Sequence, residues 1–475
     1  MIRSWRKKIT PINRIPPEIL ALIPDFWDTL SRGRNIIALT HVCRAWREVF
    51  TSRSALWTDL DCIDLDKTEV YLERSKSSPI NLSLHRYSRL SPWDPFVLII
   101  PRIIGRLKSL SVWGTPGGLR GIVALLSRPA PFLEDVSIYG DPGDRALPRL
   151  PILTSALFNG DLSSLRSMWL QDVHTELPWR NMANLTSFTL AHTQTVSINH
   201  LLDFFEGAPR LREVELRSVN PTSGGENGRL VSLACLKRMD VTGGGPPSVL
   251  LGHLLIPAGA RLMIQRDLGS SLVRDYLPRS LDNLRNFSDF TTIRLYINVS
   301  YPRIVFSGSN GRVSINPTAS RVNATLLALE SLAQFDTSKI ERLELIRGNL
   351  QSKELPYKML LHMKDLHTLT LNQCMGSHFF IQVLDPSMSS PEVVVCPKLE
   401  ELVLEFYFSR AEVDIKSLIG MAAARASRGA KLRSIRVVDG RDEPRLDPAG
   451  ALELRKHAWH VEYGAGLVHS SDEDD

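Results

Sequence analysis

Between residues 107 and 437 one spacing of apolar side chains, apolar-x-x-apolar-x-apolar, recurs and leaves few ways to fold. It appears as Leu107/Leu110/Val112, Leu133/Val136/Ile138, Leu165/Met168/Leu170, Leu185/Phe188/Leu190, Leu211/Val214/Leu216 and Leu236/Met239/Val241. It continues as Phe290/Ile293/Leu295, Ile340/Leu343/Leu345, Leu366/Leu369/Leu371, Leu399/Leu402/Leu404 and Leu432/Ile435/Val437. The last two members of each triplet are two residues apart, the period of a strand with one buried face. Clear neighbours are offset by about 20 to 33 residues, a length typical of stacked repeats. The amphipathic stretches 121–126, 198–205, 324–329 and 415–419 read as helices on the outer side. The expected fold is α/β, with short strands stacked side by side to bury a continuous core. The register blurs near 261–264 and 313–315. Alternation of Thr292, Arg294 and Tyr296 with Ile293, Leu295 and Ile297 predicts a hairpin or meander over 290–315. The Gly-, Pro- and Ser-rich segments 218–230 and 243–248 read as loops.

Ahead of the repeats lies a block of a different kind. Pro16-Pro17 can open a helix, where the first amides need no partner, and Glu18 suits the positive end of its dipole. Ile19, Leu20, Leu22 and Ile23 give it an apolar face, which Pro24 interrupts. Next, Ile36, Leu39, Cys43, Trp46 and Phe50 recur at spacings of three and four, predicting one amphipathic helix with Val42 and Val49 widening its stripe. Leu56-Trp57 begins another packed segment. A unit of about 50 residues buries too small a fraction of its surface to be stable alone. Either it packs on the downstream chain or its helices dock on another protein.

Residues 12–60 resemble an F-box. The resemblance rests on Ile15-Pro16-Pro17-Glu18-Ile19, Val42-Cys43-Arg44-Ala45-Trp46 and Leu56-Trp57, in the family's order and spacing; Ile15 stands where leucine is usual. The triplets resemble degenerate leucine-rich repeats. In regular repeats an Asn or Cys at the ninth position bonds backbone inside the turn, and Cys374 fills that place cleanly. The chain as a whole resembles fungal-type F-box proteins with such repeats. The resemblance implies a small helical F-box followed by an irregular leucine-rich-repeat solenoid over 61–464, strands on the concave face and helices outside. It also implies a substrate adaptor of a ubiquitin ligase. Ile15, Pro16, Pro17, Glu18, Ile19, Val42, Cys43 and Trp46 would meet a Skp-type adaptor that links to a cullin–RING ligase, and the repeats would hold a protein substrate. The alternative is a repeat scaffold whose F-box packs internally, with no ligase role.

If positions four and six of each repeat point inward, positions three, five and seven face a ligand. This places Trp113, Tyr139 and Trp169 on adjacent strands as an aromatic patch, flanked by the mixed charges Glu213, Glu215, Arg217 and Arg238. Aromatic side chains on a rigid platform are the types that anchor protein contacts, although they equally suit packing under a loop.

Other classes find less support. Hydrophobic residues are 43% and charged residues 23% of the chain, the values of a globular protein. The net charge of +6 is mild for 475 residues, and no strong nucleic-acid partner is expected. Arg425, Arg428, Lys431, Arg433 and Arg436 form a basic cluster, read as a helix end and a solvated strand edge. Five scattered cysteines with no C-x-x-C pair argue against disulfides and zinc and for a reducing compartment, cytosol or nucleus. No secretory signal follows the basic start 1–11, and no apolar run is long enough for a membrane. The end of the chain, 465–475, is acidic and expected to be disordered. No metalloprotease, nucleophile-elbow, P-loop or dinucleotide motif is present, so neither catalysis nor a cofactor is expected.

Overall fold

A computed structural model describes residues 15–26, 36–61, 64–85, 98–141, 152–153, 157–175, 182–193, 195–222, 228–267, 276–287, 289–297, 303–318, 328–330, 332, 335–388, 393–406, 414–439 and 446–465. The basic start 1–11, the acidic end beyond 465 and most of the helix expected at 324–329 lie outside them. The chain forms two compact units, one of residues 1–196 with 203–211, the other of 197–202 with 212–475. None of the described helices is long and apolar enough to cross a membrane.

The first unit opens with the small helical block. Helix α1 (Pro17–Leu22) has Pro at its first position and Glu18 in its first turn. It tightens at Ile23–Phe26 into a 3₁₀ turn, where Pro24 interrupts the α-helical ladder. The single long helix expected over 36–50 is instead broken. A helical stretch at 36–40 ends in short-range bonds from His41 to Ala38 and Val42 to Leu39, and Cys43 is extended at φ −159°. Helix α2 (Arg44–Ser52) then starts afresh. The Arg47 guanidinium donates to the Thr40 carbonyl at 2.9 Å and ties the two pieces across the break. The break turns Val42 outward to solvent, off the stripe the spacing assigned it.

Six strands follow in parallel order: β1 (Asp59–Leu60), β2 (Ile80–His85), β3 (Leu107–Gly114), β4 (Asp135–Gly140), β5 (Ser167–Gln171) and β6 (Ser187–Ala191). Equivalent repeat positions sit side by side: Leu110 opposes Val136, Val136 opposes Met168, and Met168 opposes Phe188. Strands β2, β4 and β5 read alternately buried and half-buried because one face meets the core and the other does not, whereas β6 is buried on both faces from Phe188 to Ala191. Helix α3 (Leu65–Ser75) lies between β1 and β2, capped by Asp64, whose carboxylate accepts the Lys67 amide at 3.1 Å. Pro116–Leu125 forms the first expected outer helix.

The second unit carries β7 (Glu213–Arg217), β8 (Arg238–Thr242), β9 (Arg261–Asp267), β10 (Phe290–Tyr296), β11 (Arg303–Gly308), β12 (Arg312–Thr318), β13 (Arg342–Ile346), β14 (Thr368–Asn372), β15 (Glu401–Phe406), β16 (Leu432–Asp439) and β17 (Ala458–Ala465). Strands β7, β8 and β9 pair in parallel, as do β13 to β17. The blurred stretch is the meander. Strand β9 pairs in parallel with β12, β11 runs antiparallel to both β12 and β10, and β10 returns the sheet to parallel order beside β13. The expected loop at 243–248 is shorter than read, since Pro247–Leu251 is a helix. Strand Asn220–Thr222 lies inside the other.

All members of the eleven triplets are buried, none more than 7% exposed. At about 1.5–3 kcal/mol for each large side chain withdrawn from water, these rows are the main favourable term of the fold.

Candidate functional site

The described surface of the helical block is unusual. Leu20, Ile36, Trp46, Phe50, Leu56 and Trp57 form its core. The Trp57 indole donates to the Phe50 carbonyl at 2.9 Å and meets Tyr71 of α3 edge-on at 4.9 Å, with the Arg74 guanidinium 4.3 Å from the ring centre. Yet Ile19 is 53%, Leu22 45%, Val42 55% and Phe26 86% exposed. Ile19 and Leu22 are one helical turn apart and share a face of α1. Pro16, Pro17 and Glu18 are exposed beside them, whereas Ile15 and Cys43 are half-buried. Trp46 departs from the expected surface set: it points into the block and packs edge-on against Phe50 at 5.7 Å. Its place at an inward position of α2 makes it a support for the surface rather than part of it.

The second candidate is the open face of the β1–β6 sheet. Trp113 and Tyr139 are register neighbours, and Trp169 lies opposite Ser137, one strand over and one step along. The Tyr139 and Trp169 rings are 5.9 Å apart and tilted by 40°. The three residues thus share one face of adjacent strands, and all three side chains are half-buried. Sequence reasoning missed His85, which sits beside Trp113 in register on β2 and whose imidazole pKa is lowered by burial. Asp135 lies on the same face of β4 as Tyr139; its carboxyl is pushed upward by burial and then by Glu134, against the opposing pull of Lys108 and Arg166.

The mixed-charge set belongs to the second unit. Glu213 and Arg238 are register partners on β7 and β8, 3.5 Å apart as an ion pair, and Arg238 also approaches Asp240 at 3.7 Å. Arg217 donates to Glu215 on its own strand. These charges satisfy one another, which lowers their value as anchors for a ligand. The basic cluster near 425–436 is dispersed in the same way. Arg425 is fully buried, not a surface base; it donates to the carbonyls of Val395 and Cys396, both at 2.8 Å, and burial lowers its pKa. Lys431 lies 4.6 Å over the Trp459 ring, Arg433 faces Glu400 at 3.8 Å and Arg436 bonds Glu462 at 2.6 Å.

Beside the meander is a cavity of about 390 Å³ walled by Phe287, Phe290, Phe306 and Phe335, with Arg285 and Lys339 at its edge. Its walls come from separate segments, so no local pattern announced it. Among the described residues, no three His, Cys, Asp or Glu side chains come together in a way that could hold a metal ion. No protein-family model matches the chain, and no curated protein matches it either.

Proposed function

We propose that the chain is a substrate adaptor of a ubiquitin ligase, in which residues 12–60 act as an F-box that docks on a Skp-type adaptor protein and the repeats, as a leucine-rich-repeat solenoid, hold a protein substrate. The observation that carries this reading is the apolar surface of the block. Ile19, Leu22, Phe26 and Val42 stand in water although the block has a core of its own. Docking a large apolar side chain would contribute about 1.5–3 kcal/mol before the costs of association. The chain's part in catalysis is then proximity: it would bring a substrate to a ligase that does the chemistry elsewhere. The exposed Ile19 and Val42 are the anchors of the contact, and Trp46 sets their position from behind.

A second reading, a repeat scaffold with an internally packed block and no ligase role, draws on the seat of Trp57 against Tyr71 and Arg74. One variant separates the two. Ile19→Glu combined with Val42→Glu places charges where the block is already exposed. Under the adaptor reading its unfolding free energy from urea titration stays within about 0.5 kcal/mol of the parent, while co-purification of the Skp-type adaptor from a cell extract falls at least about tenfold. An intact chain that recovers no adaptor overturns the proposal. A variant that loses stability instead supports internal packing.

A further inference from the structure

The meander replaces the regular repeat with a hairpin, and its strands carry a different set of side chains. Away from the inward rows, β9 presents Arg261, Met263 and Gln265, β12 presents Arg312, Ser314 and Asn316, and β11 presents Arg303, Val305 and Ser307. These positions hold three arginines and no Asp or Glu. Arg261 and Arg312 are register partners on parallel strands, about 4.8 Å apart at the backbone. Arg303 is rooted further along, but its Nε donates to the Ser314 hydroxyl at 2.9 Å, which brings the guanidinium back over that serine. The Ser314 hydroxyl in turn donates to the Asn316 side-chain oxygen at 2.9 Å. With that oxygen taken, Asn316 has its amide nitrogen left to offer, and that group is a donor. Ser314 and Val305 are a buried floor, Arg261 is exposed, and Arg303, Arg312, Gln265 and Asn316 are half-buried.

These cations lack the partners that their neighbours have. On one flank Arg238 is held by Glu213 at 3.5 Å and Asp240 at 3.7 Å, and on the other Arg294 is held by Glu344 at 2.8 Å. Among the described residues no carboxylate forms an ion pair with Arg261, Arg303 or Arg312. Burial and then the charge of Arg312 lower the pKa of Arg303, against a pull from Tyr296. A bound anion would oppose both effects. The donors form two poles about 6.6 Å apart, the spacing of same-face residues along a strand. One pole is Arg261 with Arg312; the other lies at Ser314, where Arg303 and Asn316 meet. Acidic side chains two residues apart in an extended segment have the same spacing, and a guanidinium takes a carboxylate through paired bonds. A lone phosphate fills one pole only. A nucleic-acid backbone would run on past the patch toward Glu213 and Asp240 or toward Glu344, which repel it.

We propose that this face of β9, β12 and β11 binds an extended acidic segment of a protein through two carboxylates two residues apart, the first held by Arg261 and Arg312 and the second by Arg303 and the Asn316 amide. The inference rests on the adaptor reading only in calling that segment part of a substrate; the donors are in place either way.

The test measures binding of labelled synthetic peptides to the full chain by fluorescence anisotropy. The peptides share a Gly-Ser background and carry Glu-Ser-Glu, Glu-Ser-Gln, Gln-Ser-Gln, Lys-Ser-Lys or a single phosphoserine, and a single-stranded oligonucleotide serves as the polyanion. The Glu-Ser-Glu peptide should bind best, and loss of one carboxylate in Glu-Ser-Gln should weaken binding about tenfold. Arg303→Gln and Arg312→Gln should each weaken it at least about tenfold, with thermal melts showing that the variants are folded. Arg261→Gln, on an exposed side chain, carries the same expectation if a half-buried arginine proves necessary for folding. No binding of any peptide, equal binding of Glu-Ser-Glu and Gln-Ser-Gln, tighter binding of the Lys-Ser-Lys or phosphoserine peptide or of the oligonucleotide, or folded variants that bind like the parent would overturn the inference. Adaptor recovery from a cell extract is measured on the same preparation. Adaptor recovered without a preference for the acidic pair overturns this inference alone, and the preference without adaptor overturns the ligase reading alone.

Discussion

Cys374 is the residue whose role its position predicted most closely. The thiol is fully buried, donates weakly to the carbonyls of Leu345 and Asn372 at 3.4 and 3.5 Å, and has its pKa pushed up to about 12 by burial. Cys396, whose thiol bonds the Leu360 carbonyl at 3.4 Å, is raised likewise to about 12. Because the thiolate is the reactive form, both should resist alkylation in the folded protein, while among the described cysteines the exposed Cys235 reacts first. Residue-resolved mass spectrometry after iodoacetamide at pH 8 checks this; early labelling of Cys374 would contradict its burial. Glu405, on an outward position of β15, behaves in the opposite way to a solvated surface acid. Glu405 accepts from the Asn372 amide at 2.7 Å, yet its pKa is raised, first by burial and then by Glu344. A folded-state pKa above the unfolded value means that the folded protein holds the proton more tightly. The contribution is full below the ordinary carboxylate range and is lost as pH rises through the folded value. Glu405→Gln keeps an acceptor for Asn372 and should reduce the fall in urea midpoint as pH rises from below the ordinary carboxylate range to neutrality. An unchanged slope would show that Glu405 does not titrate in this way. None of this was legible in the sequence, where an acid at a strand's outward position reads as solvated.

At the scale of elements, the triplets carried their information because position one, position four and position six are all large and apolar. Where position one fails, the strand was missed or blurred. Pro79 precedes Leu82/Leu84, Gly259 precedes Leu262/Ile264, Asn310 precedes Val313/Ile315 and Ala458 precedes Val461. A second regularity is invisible to hydrophobic pattern altogether. Position eight is left-handed in repeat after repeat: Asp172, His192, Ser218, Gly243, Arg347 and Gln373 all have φ between 51° and 64°. Only the last backbone bonds explain it, since these amides extend the ladder, as when Gln373 donates to Glu405 at 2.7 Å. Side chains at four of the described repeats' ends are neither Gly nor Asn nor Asp, so the conformation is imposed by the turn rather than by residue preference. Gly244, one place further, is a stricter case. Its φ is +74° and an added Cβ would lie 2.1 Å from the Val219 carbonyl oxygen. Gly244→Ala should cost more than about 1 kcal/mol, and more than Gly243→Ala, whose added Cβ comes no nearer to anything than 3.1 Å, from the Ser218 hydroxyl. Equal urea midpoints for the two variants would contradict the clash. The broken helix at 41–43 is the converse lesson: a stripe with correct spacing still conceals a turn, because spacing counts residues and not backbone bonds.

At the scale of the molecule, each strand of the second unit meets mainly the strands beside it, so disturbance should stay local. Leu369 is buried between Leu343 and Leu402 in register. Leu369→Ala should destabilise by about 2–5 kcal/mol and raise amide exchange in β13, β14 and β15 well before β7 and β8. Uniform loss of protection across the unit would show a single cooperative core instead. The same locality explains how the meander is tolerated: β11 and β12 enter the ladder, and the parallel order resumes at β10 and β13 without a change in the inward rows.

The apolar triplets were enough to say which strand residues go inside. Periodicity of apolar side chains follows from the geometry of one strand and the avoidance of water, and both are local. It also placed the three rings of the aromatic patch on neighbouring strands, because repeats of like register must stack. Only the tertiary structure decided which strand lies beside which at the meander, that Trp46 supports the block while Ile19, Leu22, Phe26 and Val42 face water, and that Arg425 is buried on two carbonyls. Those outcomes depend on bonds and contacts between segments tens of residues apart, and no window along the chain contains them.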